Sequence, residues 1–179
     1  FSKYPIIKKQ TVSFYPNNYN SIFQYVDIVK GEDTIRVFNV HLQTLRFSKS
    51  NLKYIEQPTI EDENAAIKES KNIIGKFKRG FLKRQVQADR IRAEIDKSPY
   101  PVIICGDFND VPNSYTYFTI RGGLQDAFLK KGFGIGRTYS AISPTLRIDY
   151  ILASKKLRVL QFKKENKKLS DHYPLVCDL

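Results

Sequence analysis

Two oxygen-bearing side chains, Asp107 and Asn109, follow an apolar run at residues 101–106. The run is mostly apolar or small and is bounded by turn formers, a pattern that predicts a buried central strand. Side chains two residues apart on an extended chain point the same way, so the carboxylate and the amide should project together from the end of the strand. Because open α/β sheets usually bind ligands at this edge, the pair is a candidate site.

A second group of polar side chains, Asn39, His41 and Gln43, alternates with apolar residues at positions 38, 40 and 42. On a strand, the apolar residues would form one face and the polar residues the other. A solvent-facing strand or a satisfied structural histidine would also explain these residues. Three aligned polar groups favour a functional face.

Asp149 lies within an apolar stretch, and the chain's second histidine, His172, follows Asp171. A buried carboxylate needs a hydrogen-bond donor or a positive charge beside it. The partner of Asp149 could be one of the many Arg and Lys residues, or a histidine whose tautomer and direction it fixes. His172 is the nearest histidine in the sequence.

The oxygen donors among these residues are typical ligands of a hard divalent cation. Asp107, Asn109 and Asp171 supply carboxylate or amide oxygens, and no Cys/His cluster with zinc spacing lies nearby. Mg²⁺ (or Mn²⁺) takes one or two carboxylates and completes its shell with water and substrate phosphate. A histidine, an asparagine and such an ion around one point provide what phosphoester hydrolysis requires.

The elements that must position these residues follow from periodicity. Alternation at residues 21–30 and 34–42, with Gly31 between them, predicts an antiparallel hairpin. Helical spacing predicts a long helix over residues 64–96, loosened or kinked at Gly75 and Gly80. A helix followed by the buried strand is an α/β crossover.

Weaker patterns predict the remaining elements. We expect a turn at residues 17–20, a long surface loop at 45–61, and a short helix that is capped at 113–114, runs through Thr119 and is broken at Gly122–Gly123. Further expectations are a short helix at 124–131, a loop at 132–136, a strand pair formed by 146–153 and 157–164, and a last strand at 173–179.

The chain has 179 residues, 41% of them hydrophobic, and a formal net charge of +12. Residues 64–97 hold ten Lys/Arg against four Asp/Glu, and residues 155–168 hold seven against one. These segments suit a polyanionic partner such as nucleic acid or an acidic lipid surface, or they are solvated faces that keep the domain soluble. No membrane-spanning or signal pattern is visible, so we expect a soluble domain of undetermined location.

Four short motifs in this order resemble the endonuclease/exonuclease/phosphatase superfamily, which includes pancreatic-type DNase, deadenylases, neutral sphingomyelinases and inositol polyphosphate 5-phosphatases. They are Asn-Val-His-Leu at 39–42, Gly-Asp-Phe-Asn at 106–109, Arg-Ile-Asp-Tyr at 147–150 and Ser-Asp-His at 170–172. The resemblance implies a DNase I-like α/β (α+β) fold, a four-layer α/β/β/α sandwich. Residues 1–179 would form the C-terminal two-thirds of one such domain, because residues 1–6 resemble a strand just before the family's midpoint.

The resemblance also implies roles for individual residues. Asp107 would orient the attacking water, while Asn109 and His41 would contact the scissile phosphate. Asp171 would help to hold the metal, and His172, oriented by Asp149, would bind phosphate or transfer protons. Asn39 and Gln43 would be supporting contacts.

The principal metal-ligand glutamate of the family, usually part of a Gln–Glu pair, belongs to the first third of the domain and has no counterpart here. The chain also contains no methionine and begins at Phe1, so we expect a piece of a longer protein. This polypeptide should therefore bind metal poorly and show little or no activity. It should also lack part of one sheet, whose exposed edge could pair with a second copy in a homodimer.

The leading hypothesis is a Mg²⁺-dependent phosphodiesterase or nuclease that acts by in-line attack of a water activated by the metal and an aspartate. A phosphatase or phosphodiesterase acting on lipid head groups or inositol phosphates is the alternative, because loops at 45–61 and 132–143 would select the substrate. Some bacterial relatives carry membrane helices before this domain, so the resemblance is also consistent with a membrane-tethered parent protein. A non-catalytic binding domain of the same fold is the hypothesis of another class.

Overall fold

A computed structural model describes residues 1–13, 22–45, 47–57, 63–140, 145–167 and 169–179. The turn predicted at 17–20 lies outside the described residues. The strands are β1 (Ile6–Ser13), β2 (Ile22–Lys30), β3 (Asp33–His41), β4 (Val102–Asp107), β5 (Gln125–Asp126), β6 (Asp149–Ala153), β7 (Gln161–Lys164) and β8 (Leu175–Asp178). The helices are α1 (Lys49–Glu56), α2 (Glu63–Asp96), α3 (Tyr115–Arg121) and α4 (Ala127–Lys131). None of the described helices has the length and apolarity that a transmembrane span requires.

Two sheets are formed by the described residues. The larger has six strands in the order β1-β2-β3-β4-β6-β5, and the smaller consists of β7 and β8. The predicted hairpin is confirmed, since β2 and β3 pair antiparallel from Phe23 opposite Val40 to Lys30 opposite Asp33. The predicted crossover is also confirmed, because β4 lies parallel to β3 and α2 connects them. The fold is of the predicted mixed α/β class.

The hydrophobic core lies on one face of the large sheet. The apolar face predicted for β3 is confirmed, because Phe38, Val40 and Leu42 are at most 1% exposed. The C-terminal half of α2 covers this face with three residues that are also buried, Ala88, Ile91 and Ile95. Because side chains alternate along a strand, Asn39 and His41 belong to the opposite face, and Asn39 is exposed.

The predicted pairing of residues 146–153 with 157–164 is wrong. Strand β6 pairs with β4, placing Leu152 opposite Ile104, while β7 pairs with β8, placing Phe162 opposite Cys177. The two segments therefore belong to different sheets. Short apolar segments predict that strands exist, whereas their partners depend on contacts between distant parts of the chain.

The segment expected to be a loop at 45–61 contains helix α1. Ser48 and Asn51 form its capping box, in which the Ser48 hydroxyl accepts from the Asn51 N–H and the Asn51 side chain accepts from the Ser48 N–H. The Asn51 amide also donates to Glu69 of α2. A capping box usually carries Glu or Gln at the position of Asn51, so the motif was not apparent in the sequence.

Helix α2 runs without a break, so the predicted loosening at Gly75 and Gly80 does not interrupt it. Gly80 is buried, and a β-carbon there would lie 2.4 Å from a methyl group of Leu45. The glycine therefore allows the segment after β3 to pack closely on the helix. Four of the apolar residues whose helical spacing indicated α2 are exposed, with exposed fractions between 41% and 65%: Ile67, Ile74, Phe77 and Phe81.

The short helices after β4 agree more closely with their predictions. Helix α3 begins after Ser114, whose hydroxyl accepts from the Tyr117 N–H, and it ends before Gly122. Helix α4 begins only after Asp126, whose carboxylate caps it, because the preceding two residues form β5. Strand β8 is shorter than the segment predicted at 173–179.

Candidate active site

Three neighbouring strands bring the predicted site residues to one edge of the large sheet. In the strand register His41 of β3 is opposite Asp107 of β4, and Asp107 is opposite Asp149 of β6. Adjacent strands lie about 4.8 Å apart, so the three side chains share one small region. The juxtaposition depends on a parallel and an antiparallel pairing, and residues 41, 107 and 149 are far apart in the chain.

Asp107 lies between the two histidines of the chain. Its Oδ2 is 3.9 Å from Nε2 of His41 and 3.9 Å from Nε2 of His172. Both distances exceed that of a hydrogen bond, so a water or a substrate oxygen can bridge the carboxylate and either imidazole. The Asp107 side chain is 16% exposed, which limits the access of bulk water to the bridging position.

His172 is held from two sides. Its Nδ1 lies 2.9 Å from Oδ2 of Asp149, and its ring lies 4.9 Å from the ring of Tyr139. The hydroxyl of the buried Thr138 accepts from the main-chain N–H of Asp149 at 3.1 Å and so holds the backbone at this residue. The pairing of Asp149 with His172 agrees with the interpretation of Asp149 as the residue that orients a histidine.

Asn109 is held tightly beside Asp107 in a left-handed backbone conformation, with φ of 51°. Its main-chain N–H donates to Oδ1 of Asp107 at 2.7 Å. Its side-chain Nδ2 donates to Oδ2 of Asp107 and to the carbonyl oxygen of Leu42, both at 3.0 Å. Since both partners of Nδ2 are acceptors, the amide orientation follows from chemistry, and the amide oxygen is the atom left for a ligand.

Burial, together with the nearby Asp149 carboxylate, raises the pKa of Asp107 from its ordinary value of 3.8 to about 7. The Asn109 N–H, His172 and Arg84 act in the opposite direction. A carboxylate with a pKa near neutrality can both accept and return a proton at physiological pH. Asp107 therefore has the protonation behaviour of a general base.

The two histidines are shifted in opposite directions. Burial and the proximity of His172 lower the pKa of His41, although Asp149 acts against this. The hydrogen bond to Asp149 raises the pKa of His172 despite its burial. Because environments that separate two pKa values assign acid and base roles, His172 is the better proton donor and His41 the better neutral ligand of a phosphate oxygen.

Asp107, Asp149 and His172 each offer an atom within 4.8 Å of the others, so this cluster could hold a metal ion. The amide oxygen of Asn109 adds a further oxygen donor beside Asp107. Carboxylate and amide oxygens suit Mg²⁺ or Mn²⁺, whereas a histidine nitrogen would favour a softer cation. The imidazole of His172 is hydrogen-bonded to Asp149. The carboxylate and amide oxygens by themselves therefore suit a hard cation better than the cluster that includes His172.

The other predicted site residues lie around this centre. Asn39 is exposed on β3, opposite Cys105 of β4. Gln43 lies beyond the end of β3 and is 7% exposed, with its main-chain N–H bonded to the side chain of Gln87. Asp171 is exposed, and its carbonyl oxygen accepts from Ser140. The roles of these residues stay predictions.

Sequence reasoning missed two residues that shape the site, Thr138 and Tyr139. Neither belongs to a charged or imidazole cluster, so no signal in the sequence marked them. The Arg147 side chain of the third motif is 4% exposed and pairs with the buried Asp126 at 2.9 Å. Arg147 therefore stabilises the core behind Asp149.

Comparison with protein families matches residues 1–172 to the Endonuclease/Exonuclease/phosphatase family. Comparison with curated protein sequences gives no significant match.

Several solved structures share the fold. An endonuclease/exonuclease/phosphatase from Bacteroides vulgatus superposes with a TM-score of 0.64 at 16% identity, covering 97% of this chain and 65% of that one. A sphingomyelinase C from Streptomyces griseocarneus superposes with a TM-score of 0.59 at 19% identity, covering 98% of this chain and 65% of that one. A mannosyl-6-phosphatase from Bacteroides thetaiotaomicron superposes with a TM-score of 0.58 at 14% identity, covering 98% of this chain and 66% of that one. The chain thus spans about two-thirds of the length of these proteins.

Proposed function

Because this chain belongs to the Endonuclease/Exonuclease/phosphatase family, whose members are hydrolases of phosphoester bonds, we propose that the full-length gene product hydrolyses phosphodiesters with the help of Mg²⁺ or Mn²⁺. One observation carries the proposal: the Asp107 carboxylate lies 3.9 Å from Nε2 of each of two histidines. This spacing leaves room for a water next to the base and for a phosphate oxygen next to each imidazole.

The metal would be held by the oxygens of Asp107 and Asn109, with Asp171 and Asp149 nearby. When bound, it would neutralise charge on the phosphate. The protein's own contribution is to hold these donors rigidly. Asp107 receives two hydrogen bonds from Asn109, and the Asp107 carbonyl oxygen accepts from the Leu42 N–H at 3.0 Å.

Asp107 would orient the attacking water and accept its proton, since its Oδ2 faces the space beside both imidazoles, 3.9 Å from each Nε2. His172 would donate a hydrogen bond or a proton to the departing oxygen from Nε2, because Nδ1 is occupied by Asp149. His41, kept neutral by burial, would donate from Nε2 to a non-bridging phosphate oxygen. In this arrangement the main role of Asn109 is to hold Asp107. If its amide nitrogen donated to the phosphate, it would lose one of the two hydrogen bonds that it now makes.

The fold does not select a substrate. The structurally similar proteins include a sphingomyelinase C and a mannosyl-6-phosphatase, which are named for different phosphoesters. The net charge of +12 supports an anionic substrate or surface. Nucleic acids, lipid head groups and inositol phosphates therefore all belong in the first assay.

The test is hydrolysis of bis(p-nitrophenyl) phosphate, DNA, RNA, a phospholipid and an inositol phosphate by the full-length gene product, with Mg²⁺, Mn²⁺ or EDTA. We expect metal-dependent turnover of at least one diester. The substitution His172→Ala should reduce turnover by about 10²- to 10⁴-fold, whereas Asp178→Asn, at an exposed position of β8, should leave it unchanged. Binding of a phosphoester without turnover, unaffected by His172→Ala, would identify a non-catalytic binding domain instead.

A further inference from the structure

An apolar groove begins beside the candidate site. It lies between α2 and the segments that follow β4 and precede β6, and its volume is about 530 Å³. Seven apolar side chains form most of its wall: Leu45, Ile74, Phe77, Phe81, Val111, Leu146 and Ile148. We call this cavity the α2 groove.

The α2 residues of the groove are unusually exposed for their size. Ile74, Phe77 and Phe81 are 65%, 47% and 41% exposed. Their helical spacing predicts core positions, but the core contacts of α2 are made by residues further along the helix. Contiguous exposed apolar surface on a folded domain commonly marks a binding site.

The groove adjoins the candidate site at Asn109. Asn109 lines the groove and also bonds to Asp107 through its main chain and its side chain. A chain that extends from a phosphate at Asp107 past Asn109, around this edge of the sheet, would reach the groove. Lys78 also lines the groove and is exposed.

The polar groups in the wall favour an apolar occupant over a nucleobase or a sugar. Among the described lining residues, Arg84 bonds to Asp110 at 3.0 Å, and Asp110 also accepts from Thr116 at 2.8 Å. The hydroxyl of Ser114 accepts from the Tyr117 N–H at the start of α3. These groups are engaged with each other or with the main chain, whereas recognition of a base edge or a sugar requires available donors and acceptors.

From this geometry we infer that the α2 groove binds the alkyl or acyl chain of a lipid-type phosphoester whose phosphate lies at Asp107. The inference rests on the proposed function for the position of the phosphate. The chemistry of the groove indicates the substrate class, which is a molecule with an anionic phosphate bonded to a flexible apolar chain. The apolar wall accommodates such a chain without hydrogen bonds, and its burial supplies the binding free energy.

The test is calorimetric binding of butyl, hexyl and octyl phosphate, each below its micellar concentration, to the full-length gene product with EDTA present. Each added methylene should tighten binding by about two- to fourfold if it enters the groove. Octyl phosphate should therefore bind at least about tenfold more tightly than butyl phosphate. Equal affinities for the three would overturn the inference.

Exposed residues of α2 provide matched variants. Ile74→Gln and Phe81→Gln replace groove residues, while Leu82→Gln and Val86→Gln replace residues of the same helix that are 50% and 64% exposed and lie outside the groove. We expect each groove variant to lose about tenfold in octyl phosphate affinity with butyl phosphate affinity unchanged. The other two variants should behave as wild type, and circular dichroism would verify that all four fold.

Two outcomes separate this inference from the proposed function. Chain-length-dependent binding without metal-dependent hydrolysis of any phosphoester would overturn the proposed function and leave the groove assignment standing. Hydrolysis without chain-length dependence would overturn the groove assignment alone. An octanucleotide that competes with octyl phosphate and loses affinity in Phe81→Gln would show that the groove binds nucleic acid, which would also overturn it.

Discussion

The carboxylate Oδ2 of Asp149 lies 2.9 Å from Nδ1 of His172, although the two residues are 23 positions apart. Strand β6 holds the aspartate, and the segment before β8 holds the histidine. The contact places a hydrogen on Nδ1 and directs Nε2 towards Asp107, 3.9 Å away. Proton transfer at this site would therefore involve Nε2, and the predictions below test this and the surrounding geometry.

Asp149→Asn should lower the pKa of His172, because the hydrogen bond that raises it is weakened. Turnover should fall by about 10²- to 10⁴-fold. A raised histidine pKa stabilises the fold fully below the unfolded value of 6.5, and this contribution is lost as the pH rises through the folded value. The stability deficit of the variant should therefore shrink on going from pH 5.5 to pH 9.

The measurement is an NMR titration of the two histidine rings, together with thermal unfolding across that pH range. Asp178→Asn is the control, since Asp178 is exposed on β8. An unchanged His172 pKa in Asp149→Asn would show that the contact does not control the protonation of the imidazole.

Asp107→Asn tests the buried carboxylate. Its pKa is raised to about 7 in the folded protein, against 3.8 ordinarily, so the folded state binds the proton more tightly. Its contribution to stability is complete below pH 3.8 and is lost as the pH rises towards 7. The variant lacks this titration and should gain about 1–3 kcal/mol relative to wild type between pH 4.5 and pH 8.

Urea unfolding at several pH values with EDTA present would measure this difference. The relevant quantity is the change of the wild-type-to-variant difference with pH, because the amide also alters the hydrogen bonds with Asn109. A difference that is constant from pH 4.5 to pH 8 would mean that Asp107 titrates near its ordinary value.

Substitutions of Asn109 separate backbone conformation from side-chain contacts. At φ of 51°, alanine is strained and glycine is not, so Asn109→Ala should be about 1 kcal/mol less stable than Asn109→Gly. Both variants lose the amide hydrogen bonds to Leu42 and Asp107, so both should lose activity. Urea unfolding and turnover measured on the pair would test this, and equal stabilities would argue against the left-handed conformation.

Gly106→Ala should destabilise the fold by about 3 kcal/mol or more, because the new β-carbon would lie 1.8 Å from the carbonyl oxygen of Val40 and the backbone has φ of 145°. The matched substitution is Gly123→Ala, where a β-carbon meets nothing within 4 Å. Thermal unfolding or soluble yield would report the difference. A Gly106→Ala protein as stable as Gly123→Ala would show that β3 and β4 do not pack as described.

Local sequence patterns were sufficient to predict the elements whose contacts are with neighbouring parts of the chain. Alternation on both sides of a short connection at Gly31 predicted the hairpin of β2 and β3, because the pairing partners are close together in the chain. The same patterning failed for β6 and β7, because nothing local to either strand specifies its partner. Helix α1 was missed because its capping box uses Asn51 and its contacts are with α2.

The candidate site was likewise predictable from the sequence only where its residues are close together in the chain. By itself, the sequence determined that the candidate residues are of types suited to phosphoester chemistry and that Asp107 and Asn109 lie side by side, since they are two residues apart at the end of a strand. Only the tertiary structure decided that His41 and His172 flank Asp107, that Arg147 pairs with Asp126, and that Ile74 and Phe81 line an open groove. The physical reason is that spacing along the chain sets the direction of neighbouring side chains, whereas contacts between distant segments are set by sheet pairing and core packing.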